Sequence, residues 1–223
     1  MDRGEGEREM KDCTAARGEK TLYLIRHACV DDPDGERICL GQKLDIPLGE
    51  KGRMQAQALA RALSSVRLDA VYTSPLLRAR QTAQALTDAP IVLDELTELD
   101  GGEWDGLPFS EIRARYPGFF ADRAKRPSPP GGETDEAGAV RGLRALQIIA
   151  DGPGKTLAAV AHASLNRLIL SAVLDRPYCT KKAIPQPNAC VSVLVYDGQW
   201  RAEQVGLSAG KWTRLRKNAN ELD

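Results

Sequence analysis

Apolar residues along this chain switch repeatedly between two spacings. Residues 21–26, TLYLIR, form a nearly continuous apolar run that stops at His27, as in a strand buried on both faces. Over residues 50–65 the apolar positions recur at helical spacing through Met54, Ala58, Leu59, Ala62 and Leu63, which predicts an amphipathic helix. The same alternation follows at once. Residues 68–72 read as a strand and residues 76–86 as a helix, with Pro75 at a start where its missing N–H is tolerated. Residues 90–93 read as a short strand. From 97 to 132 glycine and proline cluster, and only 109–116 reads as a short helix. Beyond it come a helix over 134–149, a strand over 156–161, a helix over 165–174 and an alternating strand over 190–196. This order predicts an α/β fold: a three-layer sandwich with a mainly parallel central sheet and helices on both faces.

Length and charge narrow the picture. The 223 residues suit one domain with terminal additions. We divide them into a flexible N-terminal extension over 1–19, one domain over 20–205 and a C-terminal tail over 206–223. The basic run GKWTRLRKNANELD in that tail reads as a solvated segment. Lysine plus arginine equal aspartate plus glutamate at 31 each, so no bulk charge points to nucleic acid or a membrane surface. No apolar stretch is long enough to cross a bilayer. The charged first twenty residues lack the apolar core of a secretory leader, and the five cysteines are scattered without a CxxC pair. Reduced thiols and a cytoplasmic location are expected. Nothing in the letters indicates an oligomeric state.

The chain holds only two histidines, and both stand in the same structural place. His27 ends TLYLIRH and His162 ends TLAAVAH; each is followed by alanine. In open α/β sheets reactive groups gather beyond the carboxyl ends of the strands, so both imidazoles are predicted to share that crevice. Packing at two strand ends by coincidence is the bland alternative. Arg26 precedes His27, and Arg78 lies near the start of the helix after the second strand. A guanidinium fork matches phosphate oxygens, so two arginines converging on two histidines would form an anion pocket. Spacing alone leaves open whether Arg78 is such a group or a solvated helix residue, as Arg80 beside it reads.

Four segments in order, LYLIRHA, VYTSPLLRARQTA, ELDGGEWDG and VAHASLNRLIL, together resemble the histidine phosphatase superfamily, also called phosphoglycerate mutase-like. In look the chain is nearest to alpha-ribazole phosphatase-like small-molecule phosphatases. The resemblance implies that His27 is the nucleophile that becomes phosphohistidine. It implies that Arg26 and Arg78 hold phosphoryl oxygens and that His162 is the second pocket histidine, binding phosphate and aiding catalysis. Glu98 matches the acid that protonates the leaving oxygen and later activates water; Glu95 and Glu103 are weaker candidates. Trp104, Asp105 and Gly106 match a loop-shaping segment. Departures from the pattern sit on the rim: Ala28 and Ala163 stand where glycine is usual, with their backbone N–H donors expected to remain. Cys29 and Val30 replace polar residues, and the altered spacing of GQKLDIPL leaves Gln42 without a phosphate-binding assignment.

The implied activity is hydrolysis of a phosphate monoester on a small phosphorylated metabolite. Positioned cations offset the repulsion between phosphate oxygens and a nucleophile. Neighbouring arginines favour the neutral imidazole that attack requires. No cofactor or metal is called for: two histidines without a third ligand make a poor zinc site, and neither Cys29 nor Cys39 begins a cysteine-phosphatase loop. Two alternatives stay open, a phosphoglycerate mutase-like phosphotransferase and a phosphate-binding regulatory module with little turnover. Residues 109–134 are expected to form much of the specificity wall.

Overall fold

The computed structural model describes residues 18–31, 35–118 and 128–220. Most of the extension expected over 1–19, residues 119–127 of the expected specificity wall and the last three residues therefore lie outside the described residues.

The sheet has six strands in the order β3-β2-β4-β1-β5-β6. These are β1 (Lys20–Arg26), β2 (Ala70–Thr73), β3 (Ile91–Val92), β4 (Thr156–Ala161), β5 (Val191–Tyr196) and β6 (Trp200–Leu207). Strands β1 to β4 run parallel, while β5 and β6 add an antiparallel edge beside β1. The mainly parallel sheet is as predicted. β6 has no counterpart among the predicted strands. It is an edge strand whose charged residues Arg201 and Glu203 face solvent, so no apolar run marks it.

Side-chain alternation along the central strands builds two cores. Leu22 and Leu24 of β1 share one face with Leu157, Ala159 and Ala161 of β4. That face is covered by α4 (Asp135–Asp151) and α5 (Ala163–Val173) through Leu146, Ile149, Leu165 and Ile169. Tyr23 and Ile25 point the other way with Ala158 and Val160, and meet α1 (Glu50–Leu63) and α2 (Leu77–Gln84) through Leu59, Leu63, Ala79 and Ala83. A short α3 (Phe109–Arg115) starts against residues 37–38: Pro108 bridges Ile38, and the Phe109 N–H donates to the Arg37 carbonyl at 3.1 Å. Helix α4 begins where the sequence places it: Thr134 caps it by accepting the Ala137 N–H at 3.0 Å.

Where a solvated tail was expected, residues 209–220 form α6 (Ala209–Asn220). Trp212 anchors it. Its ring is buried against Tyr23, edge-on at 5.5 Å, and its Nε1–H donates to the Ala62 carbonyl at 3.1 Å. The charge-rich composition of the run masked one apolar anchor. Among the described residues no helix is long and apolar enough to cross a membrane.

Candidate active site

Register creates the site. β1 and β4 are adjacent and parallel with Arg26 opposite Ala161, so His27 and His162 leave the sheet side by side. The His27 N–H donates to the Ala161 carbonyl at 2.9 Å, and the two rings lie 5.1 Å apart at a tilt of 54°. Both are buried.

His27 is held from behind and left open at one nitrogen. Its Nδ1 lies 2.7 Å from the Ala28 carbonyl, which can only accept. Nδ1 therefore carries the proton, and Nε2 presents a lone pair. The His27 carbonyl accepts from Asn188 Nδ2 and from the Ala189 N–H, both at 3.2 Å. Burial, and after it the charges of Arg78 and Arg26, push the His27 pKa down to about 3 against a weaker opposing pull from the Ala28 carbonyl. His162 is driven well below its ordinary value by burial first, then by His27, Arg78, Arg26 and Arg141. Both rings are neutral at neutral pH.

Arg78 is wholly buried, which decides the ambiguity left by its spacing, whereas Arg80 is exposed. Its guanidinium is tied to the 41–44 loop by Nη2 to the Gly41 carbonyl at 2.8 Å and Nη1 to the Leu44 carbonyl at 3.3 Å. Asp105 fixes the same loop from the other side by accepting the N–H groups of Gly41 and Lys43 at 2.8 and 2.7 Å. This is the loop-shaping role expected of the GEWDG segment. Arg26 donates Nη1 to the Gln186 carbonyl at 2.6 Å. Burial lowers the pKa of both arginines, and the Glu98 carboxylate opposes that shift in each, as it does for half-buried Arg167.

Glu98 reaches the N-terminus of α5. Its Oε1 accepts the N–H groups of Leu99 and Leu165, each at 3.0 Å, and its Oε2 accepts the Ser164 N–H at 3.1 Å. The structure thus brings His27, His162, Arg26, Arg78 and Glu98 to one crevice. It excludes the weaker candidates: Glu103 bonds the Tyr116 hydroxyl and Glu95 pairs with Arg144, both toward the surface.

Two rim expectations change. The Ala28 N–H is taken by Thr82 Oγ1 at 3.0 Å, and the Cys29 N–H by Gln55 Oε1 at 2.8 Å, so the donors after His27 serve the scaffold. The Cys29 carbonyl also presses on α1, where a Cβ on Gly52 would come within 1.8 Å of it. Gln42 donates Nε2 to the Glu98 carbonyl at 2.8 Å, which gives it a place in positioning the acid's backbone.

The sequence reading missed Ser74. Its Oγ lies 2.8 Å from His162 Nε2. A hydroxyl one residue beyond the end of β2 was the available signal, since β2 also pairs with β4. Among the described residues no cluster of histidine, cysteine or carboxylate side chains is arranged to hold a metal ion. A surface cleft of about 590 Å³ between Asp94, Glu136 and Arg144 contains neither histidine.

Comparison with known proteins gives the same direction. The description "Histidine phosphatase superfamily (branch 1)" matches residues 22–207. Fructose-2,6-bisphosphatase TIGAR of Xenopus tropicalis is 40% identical over 125 residues, covering 52% of this chain and 44% of that protein. Phosphoserine phosphatase 1 of Hydrogenobacter thermophilus is 37% identical over 111 residues, covering 48% and 51%. The chain thus spans about half the length of these curated relatives. The solved structure of a mycobacterial glucosyl-3-phosphoglycerate phosphatase superposes with a TM-score of 0.73 at 28% identity, covering 85% of this chain and all of that one (100%).

Proposed function

Because the chain belongs to the histidine phosphatase superfamily, branch 1, we propose that it hydrolyses a phosphate monoester through a phosphohistidine on His27. One observation carries this reading. Buried polar groups are nearly always partnered, yet three buried nitrogens in this one crevice, Arg26 Nε, Arg78 Nε and His162 Nδ1, have no partner among the described residues. Arg78 and Arg26 lie close enough to act electrostatically on His27, whose ring is 5.1 Å from that of His162. A tetrahedral dianion is the ligand that would engage such a set.

The geometry supports a two-step chemistry. Neutral His27 attacks phosphorus through Nε2; the P–O bond to the alcohol breaks as the P–N bond forms. Arg26, Arg78 and His162 take up the negative charge on the phosphoryl oxygens, at full strength in a site with little water. Glu98 gives its proton to the departing alkoxide. Oε2 is the oxygen suited to that transfer, having one backbone donor where Oε1 has two. In the second half the carboxylate takes a proton from water, the oxygen attacks phosphorus, and the P–N bond breaks to return His27 and inorganic phosphate.

The relatives are named for small phosphorylated metabolites, and we propose that class of substrate here. The test is incubation with ³²P-labelled p-nitrophenyl phosphate in the presence of chelator, followed by rapid quenching. The native protein is expected to release phosphate and carry acid-labile label on His27, and His27→Gln to do neither. Undiminished turnover by His27→Gln would refute the proposal. Phosphate binding without turnover in the native protein would favour the regulatory-module alternative. Transfer to an added phosphoglycerate in preference to water would favour the mutase-like one.

A further inference from the structure

We infer that Ser74 holds His162 as the Nδ1–H tautomer, so that the second histidine offers the phosphoryl group one fixed N–H donor. The identity of that acceptor rests on the phosphohistidine reading above, whereas the tautomer is a property of the free protein.

The hydrogens of a wholly buried pair decide the tautomer. Ser74 and His162 are both inaccessible to solvent, so neither can turn to water for a missing partner. Ser74 is fixed by its backbone: its N–H donates to the Val160 carbonyl at 3.0 Å, which ties it to β4 two residues before His162. Its carbonyl accepts the Thr73 hydroxyl at 3.1 Å. Its Oγ has two neighbours, the Leu76 N–H at 3.3 Å and His162 Nε2 at 2.8 Å. The first can only donate. One lone pair of Oγ therefore serves Leu76, and the hydroxyl hydrogen still needs an acceptor. Among the described residues His162 Nε2 is the acceptor within reach.

Two arrangements can be compared. If Nε2 carried the ring proton, Oγ would accept twice and its own hydrogen would have no acceptor. Nδ1 would then be a bare lone pair in a dry pocket lined by groups that receive an anion. Two buried groups would be unmatched, and the ring would repel a phosphoryl oxygen. If Nδ1 carries the proton, Ser74 donates to Nε2 and accepts from Leu76, and both are satisfied. The one group left over is Nδ1–H, the nitrogen found without a partner. That is the arrangement an anion completes. Ser74 is thus a positioning residue: it touches no reacting atom, and it decides which way the imidazole dipole points.

The pair also mirrors its neighbour across the sheet. In His27 a backbone carbonyl fixes the proton on Nδ1 and frees Nε2 to attack. In His162 a hydroxyl does the corresponding work with Nε2 bound and Nδ1 presented. Two rings at one sheet edge therefore offer opposite chemistry, a lone pair and a proton, because their second partners differ.

The experiment is ¹⁵N spectroscopy of the imidazole rings in the full-length, ¹⁵N-histidine-labelled protein, combined with titration by inorganic phosphate. With two histidines in the chain, the His27→Gln spectrum assigns the signals. We expect His162 to show a protonated Nδ1 and a hydrogen-bonded, unprotonated Nε2. In Ser74→Ala the ring should move toward a mixture of tautomers, and phosphate should bind about tenfold more weakly. Ser74→Thr, which keeps the hydroxyl, should restore both. A native His162 protonated at Nε2 would overturn the inference, as would a Ser74→Ala ring spectrum identical to the native one. If Ser74→Ala does not fold, the native spectrum alone decides. The two readings fail separately: a protonated Nδ1 in a protein without turnover counts against the phosphatase, while a protonated Nε2 in an active enzyme counts against the role of Ser74.

Discussion

His27 and His162 stand 5.1 Å apart because each follows the last residue of one of two neighbouring parallel strands paired in register. Adjacent strands run about 4.8 Å apart, so a ring at the same position on each arrives at contact distance without any special loop. The pair is therefore a product of sheet geometry. Its consequence is electrostatic: two imidazoles, Arg26 and Arg78 share a buried volume in which further positive charge is disfavoured, and the rings stay neutral.

That neutrality predicts an acid-sensitive fold. In the unfolded chain a histidine takes up a proton near its ordinary value of 6.5, whereas folded His27 does so only near 3. Between those values the unfolded state binds more protons, so stability present above pH 6.5 is lost as pH falls toward 3. By pH 5 the loss from His27 is on the order of 2 kcal/mol, and His162 adds to it in the same direction. Urea unfolding at pH 7 and pH 5 checks this. His27→Gln should show a smaller drop than the native protein, and equal drops would mean that His27 is not held neutral.

Glu98 should matter in proportion to how badly the leaving group needs a proton. Glu98→Gln keeps a carbonyl oxygen for the Leu99 and Leu165 N–H groups but cannot donate a carboxylic proton. We expect hydrolysis of alkyl phosphates to fall about a hundredfold or more, with a much smaller effect on p-nitrophenyl phosphate. Leaving-group series on both proteins supply the measurement. Equal slowing across the series would assign Glu98 to positioning α5 instead.

Much of this site was legible because it is local in sequence. A strand ending in histidine names its own position at the sheet edge, and TLYLIRH and TLAAVAH repeat that signal. The central strands β1 and β4 were legible for the same reason: buried on both faces, they read as apolar runs. What the letters hid depends on long-range contacts. Arg78 and Arg80 differ by two residues on one helix, and only the carbonyls of Gly41 and Leu44 single out the first. Ser74 looks like any turn hydroxyl until β2 is laid beside β4. The backbone donors of Ala28 and Cys29 are spent on Thr82 and Gln55, from two different helices, which no local pattern announces.

Arg78→Lys tests that distinction. A lysine has the charge but one nitrogen, so it cannot hold the Gly41 and Leu44 carbonyls and still offer an Nε–H to an anion. We expect phosphate affinity and kcat/KM to fall about ten- to a hundredfold, and Arg80→Lys to leave both within twofold. Isothermal titration with inorganic phosphate and steady-state kinetics on p-nitrophenyl phosphate read the two effects. Similar losses in both variants would place Arg78 among general helix arginines.

The C-terminal helix makes the last prediction, because its composition argues one way and its packing another. Seen as letters, residues 209–220 are basic and polar, and a solvated segment would tolerate any change within it. In the fold Trp212 fills the space between α1 and β1, stacks edge-on against Tyr23 and donates to the last turn of α1 through the Ala62 carbonyl. Removing a buried tryptophan costs about 3–5 kcal/mol through lost burial and the cavity left behind. Trp212→Ala should lower the urea-unfolding free energy by that amount, while Lys211→Ala, on the exposed side of the same helix, should change it by less than about 0.5 kcal/mol. Tyr23 reports the same contact from the strand side. Tyr23→Ala and Trp212→Ala are therefore not additive, and the double variant loses less than the two single losses combined. Full additivity, or a Trp212→Ala protein as stable as the native one, would mean that the helix does not bear on the core.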